Sequence, residues 1–261
     1  MNPVIIAHRG ASALARHENT LEAFKIAIKL KADYAEFDIR KTKDNQLIVF
    51  HDDEIMGREI SSLTYDKLCS ITAKENYRVP LLSEVLELCK GKIKLDIELK
   101  ESGYEKRVID MVTKLFRYDE FMMKSFIDKT VKAIHDYDPY IKTGLLLGIK
   151  GASLRTRFHE YFPMTRIAAC NADFVSPYYK LATPGFVKRM KLYNKPIYVW
   201  TVNRARLMGK CIYNNVDGII TDKPNVAIKV RQYLLNRKLK QKMLKMRKQY
   251  AKKEIHNINN N

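Results

Sequence analysis

Seven residues in the first hundred have the types and spacing for phosphate chemistry: His8, Arg9, Glu36, Asp38, His51, Glu98 and Lys100. Glu36 and Asp38 stand two apart, so on an extended chain both side chains point to one face. Asp96, Glu98 and Lys100 repeat that alternation. Three converging carboxylates, Glu36, Asp38 and Glu98, make a hard, oxygen-rich site suited to Mg2+, Ca2+ or Mn2+ rather than zinc. Arg9 and Lys100 can hold a phosphate oxygen. His8 and His51 can act as base and acid across a phosphodiester, while a metal neutralises charge building on the phosphoryl group. A metal, cations and two proton carriers are the parts that hydrolysis of a phosphodiester needs.

These residues work together only if the fold gathers them. Along the chain, short β-rich runs alternate with amphipathic stretches. The runs Val4–Ala7, Tyr34–Arg40, Lys94–Leu99, Met122–Phe126, Lys142–Leu147, Phe174–Ser176, Ile197–Trp200 and Gly218–Thr221 read as eight strands. Leu47–Phe50 is an extra extended run that ends at His51, and a loop is expected from there to Pro80. Helices are expected at Leu82–Cys89, Tyr104–Phe116, Thr130–Tyr137, Pro184–Tyr193 and Ala205–Tyr213, and after Pro224. Asn19 followed by Glu22 has the form of a capping box opening a further helix.

Alternating β and α implies a parallel sheet covered by helices. Eight such units match a (β/α)8 TIM barrel, whose active sites gather at the C-terminal ends of the strands. A doubly wound open sheet is the other reading. The candidate residues fall where a barrel would want them: His8-Arg9-Gly10 after the first strand, Trp200-Thr201-Val202-Asn203 at the seventh, Thr221-Asp222 at the eighth.

Composition bounds the rest. Of 261 residues 46% are hydrophobic and 30% charged, ordinary for a globular chain with a sizeable core. No run reaches the ~18 apolar residues of a membrane-spanning helix, and the N-terminus has no signal-peptide pattern. Cys69, Cys89, Cys170 and Cys211 are scattered with no metal-ligand spacing, so reduced thiols in a cytoplasmic setting are expected. Lys plus Arg number 48 against 29 Asp plus Glu, net +19, which favours polyanionic or phosphate-bearing partners.

The motifs, taken in order, resemble the glycerophosphodiester phosphodiesterase family. The resemblance rests on His8-Arg9-Gly10, Glu18-Asn19-Thr20, Glu36-Phe37-Asp38, Val49-Phe50-His51-Asp52 and Val79-Pro80-Leu81-Leu82. It continues through Ile97-Glu98-Leu99-Lys100, Ser125-Phe126, Trp200-Thr201-Val202-Asn203 and Asp217-Gly218-Ile219-Ile220-Thr221-Asp222. It implies a metal-dependent TIM barrel that cleaves small-molecule glycerophosphodiesters to sn-glycerol 3-phosphate and an alcohol. Glu36, Asp38 and Glu98 then match metal ligands, with Mg2+, Ca2+ or Mn2+ as the cofactor. His8 and His51 match the acid/base pair, Arg9 and Lys100 the phosphate contacts, and Trp200 an aromatic lining of the cleft. One departure follows His51: where the family often has Arg-Thr-Thr before a glycine, this chain reads Asp53-Glu54-Ile55-Met56-Gly57. The insertion after the second strand also reads as short. In this fold it overhangs the cleft, so the alcohol preference stays open.

Blander roles are expected elsewhere. Asp222 reads as a helix cap or rim anchor, Asn203 as a loop hydrogen-bonder, Asp96 as a partner to the metal ligands, and His17, His135 and His159 as surface or structural groups. Cys170 and Cys211 have no base nearby. Residues 1–230 are expected to form the barrel and 231–261 a basic tail. Arg231 to Glu254 holds ten Lys or Arg and one acid, with Leu235, Leu239, Met243, Met246 and Tyr250 at helical spacing. That pattern fits an anionic membrane surface, placing the protein peripherally at the inner membrane face. Two rival functions stay in view: lysophospholipase D-like headgroup release, favoured if Met122, Phe126, Tyr178 and Tyr179 line an apolar groove, and non-catalytic binding of phosphate or anionic lipid. No nucleic-acid-binding module is present, and nucleic acid is not expected as a partner.

Overall fold

The computed structural model describes residues 2–237 apart from 150 and 152. In chain order the elements are β1 (Val4–Ala7), α1 (Leu21–Lys29), β2 (Tyr34–Lys41), β3 (Leu47–Val49), β4 (Glu54–Ile55) and β5 (Arg58–Glu59). Next come α2 (Tyr65–Thr72), α3 (Leu82–Cys89), β6 (Lys94–Leu99), α4 (Glu105–Thr113), β7 (Phe121–Ser125), α5 (Asp128–Tyr137) and β8 (Thr143–Leu147). The series ends with α6 (Leu154–Tyr161), α7 (Met164–Cys170), β9 (Phe174–Pro177), α8 (Pro184–Leu192), β10 (Tyr198–Val199), α9 (Ala205–Tyr213), β11 (Gly218–Thr221) and α10 (224–237).

The strands run parallel in the order β10-β11-β1-β2-β6-β7-β8-β9. Parallel bridges Val175↔Ile197 and Tyr178↔Trp200 join the two ends, helped by Trp200 N–H donating to Pro177 O at 3.1 Å. This is the eight-stranded barrel, not the open sheet. β3 pairs antiparallel with β2 outside that ring.

The barrel strands are buried on both faces, so β1, β8 and β11 are almost continuously apolar, while β2, β6 and β7 carry buried charged residues that turn to the barrel interior. Outside the ring, Phe24, Leu82, Val85, Leu86 and Val108 seal one half against the helices, and Phe186, Met190, Met208 and Ile212 the other. Inside, Ile6, Met122, Phe174 and Ile220 form an apolar floor. Gly144 makes room for it, since a Cβ there would lie 2.0 Å from the Phe174 ring. Above the floor the register sets Glu36 beside Asp96 and Asp38 beside Glu98, and Glu98 beside Lys124. Inward side chains on one strand recur every two residues, so these polar groups form two successive rows, Glu36 with Asp96 and then Asp38 with Glu98 and Lys124.

The structure differs from the sequence reading in several places. The stretch expected as loop holds the β4–β5 hairpin and α2, whose Leu68 packs with Ile48, Ile60 and Val79 in a separate small core. Neither α6 nor α7 was legible; α6 carries Leu154, Arg155 and Phe158 outward, so it lacks a dominant apolar stripe. Asn19 does not cap α1. Thr20 does, its Oγ1 accepting from Ala23 N–H at 3.3 Å. β10 is two residues shorter than expected, because Ile197 and Trp200 engage β9 only through isolated bridges. The four cysteines are free, two of them buried. Among the described residues no helix is long and apolar enough to cross a membrane. The basic stretch from 238 onward lies outside the described residues.

Candidate active site

The turn after β1 sets the site. Arg9 and Gly10 both take left-handed backbone, φ +51° and +79°. Gly10 is needed there twice over: the conformation favours glycine, and a Cβ would sit 2.6 Å from Ala23 Cβ. The turn aims Arg9 N–H at Glu36 Oε2, 2.9 Å away. It also brings Asn19 under β2, where its Nδ2 donates to Asp38 Oδ2 at 2.9 Å.

Glu36, Asp38 and Glu98 converge with one oxygen from each within 4.8 Å of the others, and all three side chains are buried. Lys100 Nζ stands 2.8 Å from Glu98 Oε1 and 3.4 Å from Asp38 Oδ1. Burial opposes charge on Asp38, but Lys100 and Arg9 outweigh it and hold the carboxyl well below its usual range. At Glu98 burial prevails, and the carboxyl is pushed well above the usual carboxylate range despite Lys100. Four buried carboxylates, counting Asp96, meet three cations, Arg9, Lys100 and Lys124, and Arg9 is shared with Glu18 at 2.6 Å. The donor set is all oxygen, buried and net negative, so a hard divalent cation fits it.

Sequence reasoning missed Lys124. It is 1% exposed at the centre of the barrel, with Nζ 2.6 Å from Asp96 Oδ2 and 3.3 Å from Glu36 Oε1. Its signal was a lone lysine inside an apolar strand, Phe121-Met122-Met123-Lys124-Ser125. Asp96, expected beside the ligands, is thus tied to Lys124.

The two histidines flank the carboxylates, each with its own acid. His8 Nδ1 donates to Asp222 Oδ1 at 2.6 Å, and His51 Nδ1 to Asp52 Oδ1 at 2.7 Å. Both imidazoles therefore present Nε2. Burial pulls His8 down, yet Glu36 and Asp222 outweigh it and the imidazole is raised. Burial prevails at His51, which is lowered. Asp222 does more than anchor the rim. Asn203 Nδ2 donates to Asp222 Oδ2, and Asn203 Oδ1 accepts from Asp222 N–H at 3.0 Å. Burial opposes charge on Asp222, but the His8 hydrogen bond prevails and its carboxyl falls to about 2.

All eight expected site residues except Asp38 line one cavity of ≈ 890 Å³, with Asp38 just beneath. Arg9 Nε is buried and faces Asp38 Oδ2 at 3.5 Å. Trp200 donates Nε1–H to Ser176 O at 2.7 Å and packs edge-to-face on Phe126, centroids 5.6 Å apart. Phe126 and Tyr178 line the cavity as expected of an apolar wall, joined by Leu146 and Leu181. Met122 lies in the barrel floor and Tyr179 packs in the outer core instead. His17 stacks on Tyr77 at 4.2 Å, its Nε2 3.1 Å from Glu75 O.

Comparison with known proteins bears on the family and the fold. The model of the "Glycerophosphoryl diester phosphodiesterase family" matches residues 8–226. A glycerophosphodiester phosphodiesterase of Caldanaerobacter subterraneus is 30% identical over 246 residues, covering 87% of this chain and 97% of that protein. One from Bacillus altitudinis is 29% identical, covering 87% and 98%. Among solved structures, a glycerophosphodiester phosphodiesterase from Parabacteroides distasonis superposes with TM-score 0.75 at 27% identity, covering 90% of this chain and 98% of that one. A phosphodiesterase from Oleispira antarctica, solved with the product sn-glycerol-3-phosphate, shares the fold with TM-score 0.74 at 20% identity, covering 87% and 96%.

Proposed function

The chain belongs to the glycerophosphoryl diester phosphodiesterase family and is a phosphoric diester hydrolase; from that premise we propose that it cleaves glycerophosphodiesters to sn-glycerol 3-phosphate and an alcohol, with a divalent cation and two histidines. The observation that carries this reading is the convergence of Glu36, Asp38 and Glu98 between His8 and His51.

Glu36, Asp38 and Glu98 would hold Mg2+, Ca2+ or Mn2+, which when bound offsets the charge that gathers on the phosphoryl oxygens. The chain's own residues do the rest. Arg9 and Lys100 bind the non-bridging oxygens and orient the diester. Asp222 fixes the His8 ring so that Nε2 accepts the proton of the nucleophile, either the glycerol 2-hydroxyl or water. Asp52 fixes His51, which in its imidazolium form donates Nε2–H to the departing alcohol oxygen and is left neutral. Trp200 and Phe126 form an apolar wall along which the glycerol carbons can lie.

The test is release of glycerol 3-phosphate from glycerophosphocholine and glycerophosphoethanolamine by purified full chain. EDTA is expected to abolish it, and Mg2+, Ca2+ or Mn2+ to restore it. His8→Ala and Glu36→Ala should each lose activity by about 10³-fold or more. Turnover that survives EDTA, or either substitution, overturns the reading. The apolar wall of Phe126, Leu146, Leu181 and Trp200 supports a second reading, headgroup release from lysophospholipids; turnover of lysophosphatidylcholine but not glycerophosphocholine would favour it.

A further inference from the structure

The polarity of α6 is inverted. Its only acid, Glu160, is fully buried, while Leu154 and Phe158 are 91% and 60% exposed. Residues four apart on a helix share a face. Phe162, also exposed, extends that face, its ring 4.9 Å from Phe158.

This exposure belongs to an anchored helix. Glu160 Oε1 accepts from Gly148 N–H and Ile149 N–H at 2.7 Å each, and Oε2 meets Arg157 at 2.5 Å. Arg157 Nη2 donates to Ile149 O at 3.0 Å. The Arg189 guanidinium lies over the Tyr161 and Phe162 rings, 4.7 and 4.3 Å from their centroids. Rolling the apolar stripe inward would strip a buried carboxylate of its donors, which costs more than the exposed stripe does.

Place and charge indicate what the stripe meets. α6 follows β8, so it stands at the C-terminal rim of the barrel, and Ile149, Arg157 and Lys180 line the mouth of the catalytic cavity. From Ile149 to Phe162 the sequence holds Lys150, Arg155 and Arg157 against Glu160 alone, and Glu160 is neutralised internally. β1 lies four strands away around the ring. There, beyond His51, the rim is acidic and aromatic: Glu18, Asp52, Glu54 and Glu75 with Phe50 and Tyr77, and among the described residues no Lys or Arg. An apolar stripe edged with cations on one rim, with acids on the other, suits contact with an anionic bilayer by the first rim. A second copy of this chain, also at net +19, would set like charges face to face.

We propose that α6 docks the protein on an anionic lipid bilayer. Leu154 and Phe158 enter the boundary between headgroups and acyl chains, and Arg155 and Lys180 face the lipid phosphates. The mouth of the catalytic cavity then opens along the lipid surface. This contact is separate in sequence from the basic stretch beyond residue 237.

The experiment is cosedimentation of the full chain with vesicles of equimolar phosphatidylglycerol and phosphatidylcholine, beside Leu154→Ser/Phe158→Ser. Both side chains are exposed, so a thermal melt should show the fold kept. The double substitution is expected to weaken binding by about tenfold or more, and pure phosphatidylcholine vesicles should bind the unmodified chain less than the anionic ones do. A second measurement locates the contact. Trp200, the only tryptophan of the chain, lines the catalytic cavity, and its emission is subtracted. The tryptophan introduced by Phe158→Trp should then shift to the blue and be quenched by brominated lipid. Equal binding of the unmodified and doubly substituted chains overturns the proposal, as does an unquenched tryptophan at 158 on bound vesicles. No vesicle binding also overturns it, and a dimer in sedimentation that Leu154→Ser/Phe158→Ser dissolves would assign the stripe to a second copy instead. None of these measurements requires turnover, so failure of the hydrolysis reading is scored separately.

Discussion

Asp222 stands 214 residues from His8 in the chain, yet receives its Nδ1–H at 2.6 Å. Asn203 holds the other side of the same carboxylate. A carboxylate so placed fixes which nitrogen of the ring carries the proton, leaving Nε2 as acceptor. Asp222→Asn keeps the shape and reverses that preference, because the amide can donate to Nδ1. It should lower kcat by about 10²- to 10⁴-fold and leave KM within about threefold. Steady-state kinetics beside a thermal melt decides it. An unchanged kcat would return Asp222 to the role of rim anchor. Lys124 makes the same point about burial. A lysine sealed in a barrel is tolerable because Asp96 and Glu36 face it, and neither neighbour is near it in sequence.

At the scale of elements, the loop between β1 and α1 divides two tasks between adjacent residues. Thr20 caps the helix, and Asn19, in left-handed backbone at φ +54°, steadies Asp38. The sequence pattern could not separate them, since both are good caps. Thr20→Ala should cost about 1 kcal/mol in urea unfolding with divalent-cation binding unchanged. Asn19→Gly suits the backbone, so it should leave stability within about 0.5 kcal/mol. It should weaken Mn2+ binding, followed by titration, by about tenfold, as loss of a ligand's hydrogen-bond support does. The opposite pattern would return the cap to Asn19. Elements missed by the sequence reading have separate causes: α2 buries Leu68 in a small side core, α6 exposes Leu154 and Phe158, and α7 spans only Met164–Cys170.

At the scale of the whole molecule, the last described helix ties back to the first strand's approach through Arg231. The break expected at residue 230 falls inside α10, which is continuous from 224 to 237. Arg231 pairs with Asp33 and donates Nη1–H to Pro3 O at 3.2 Å, and Leu234 packs on the outer core. A chain ending at 230 should therefore lose about 1–2 kcal/mol relative to one ending at 237. That corresponds to a melting temperature lower by ~3–6 °C; equal melting temperatures would place the cooperative boundary at 230. What the sequence determined by itself was local: the alternation of strand and helix, and the residues two apart that must share a strand face. Those periodicities, with the ordered motifs, were enough for the barrel, the carboxylate trio and the histidine pair. Only the tertiary structure decided that Asp222 and Asn203 hold His8, that Lys124 pairs with Glu36, and that acidic and aromatic groups meet beyond His51. These relations depend on how the sheet closes and on its register across strands far apart in the chain. A period of 2 or 3.6 residues carries no information about either.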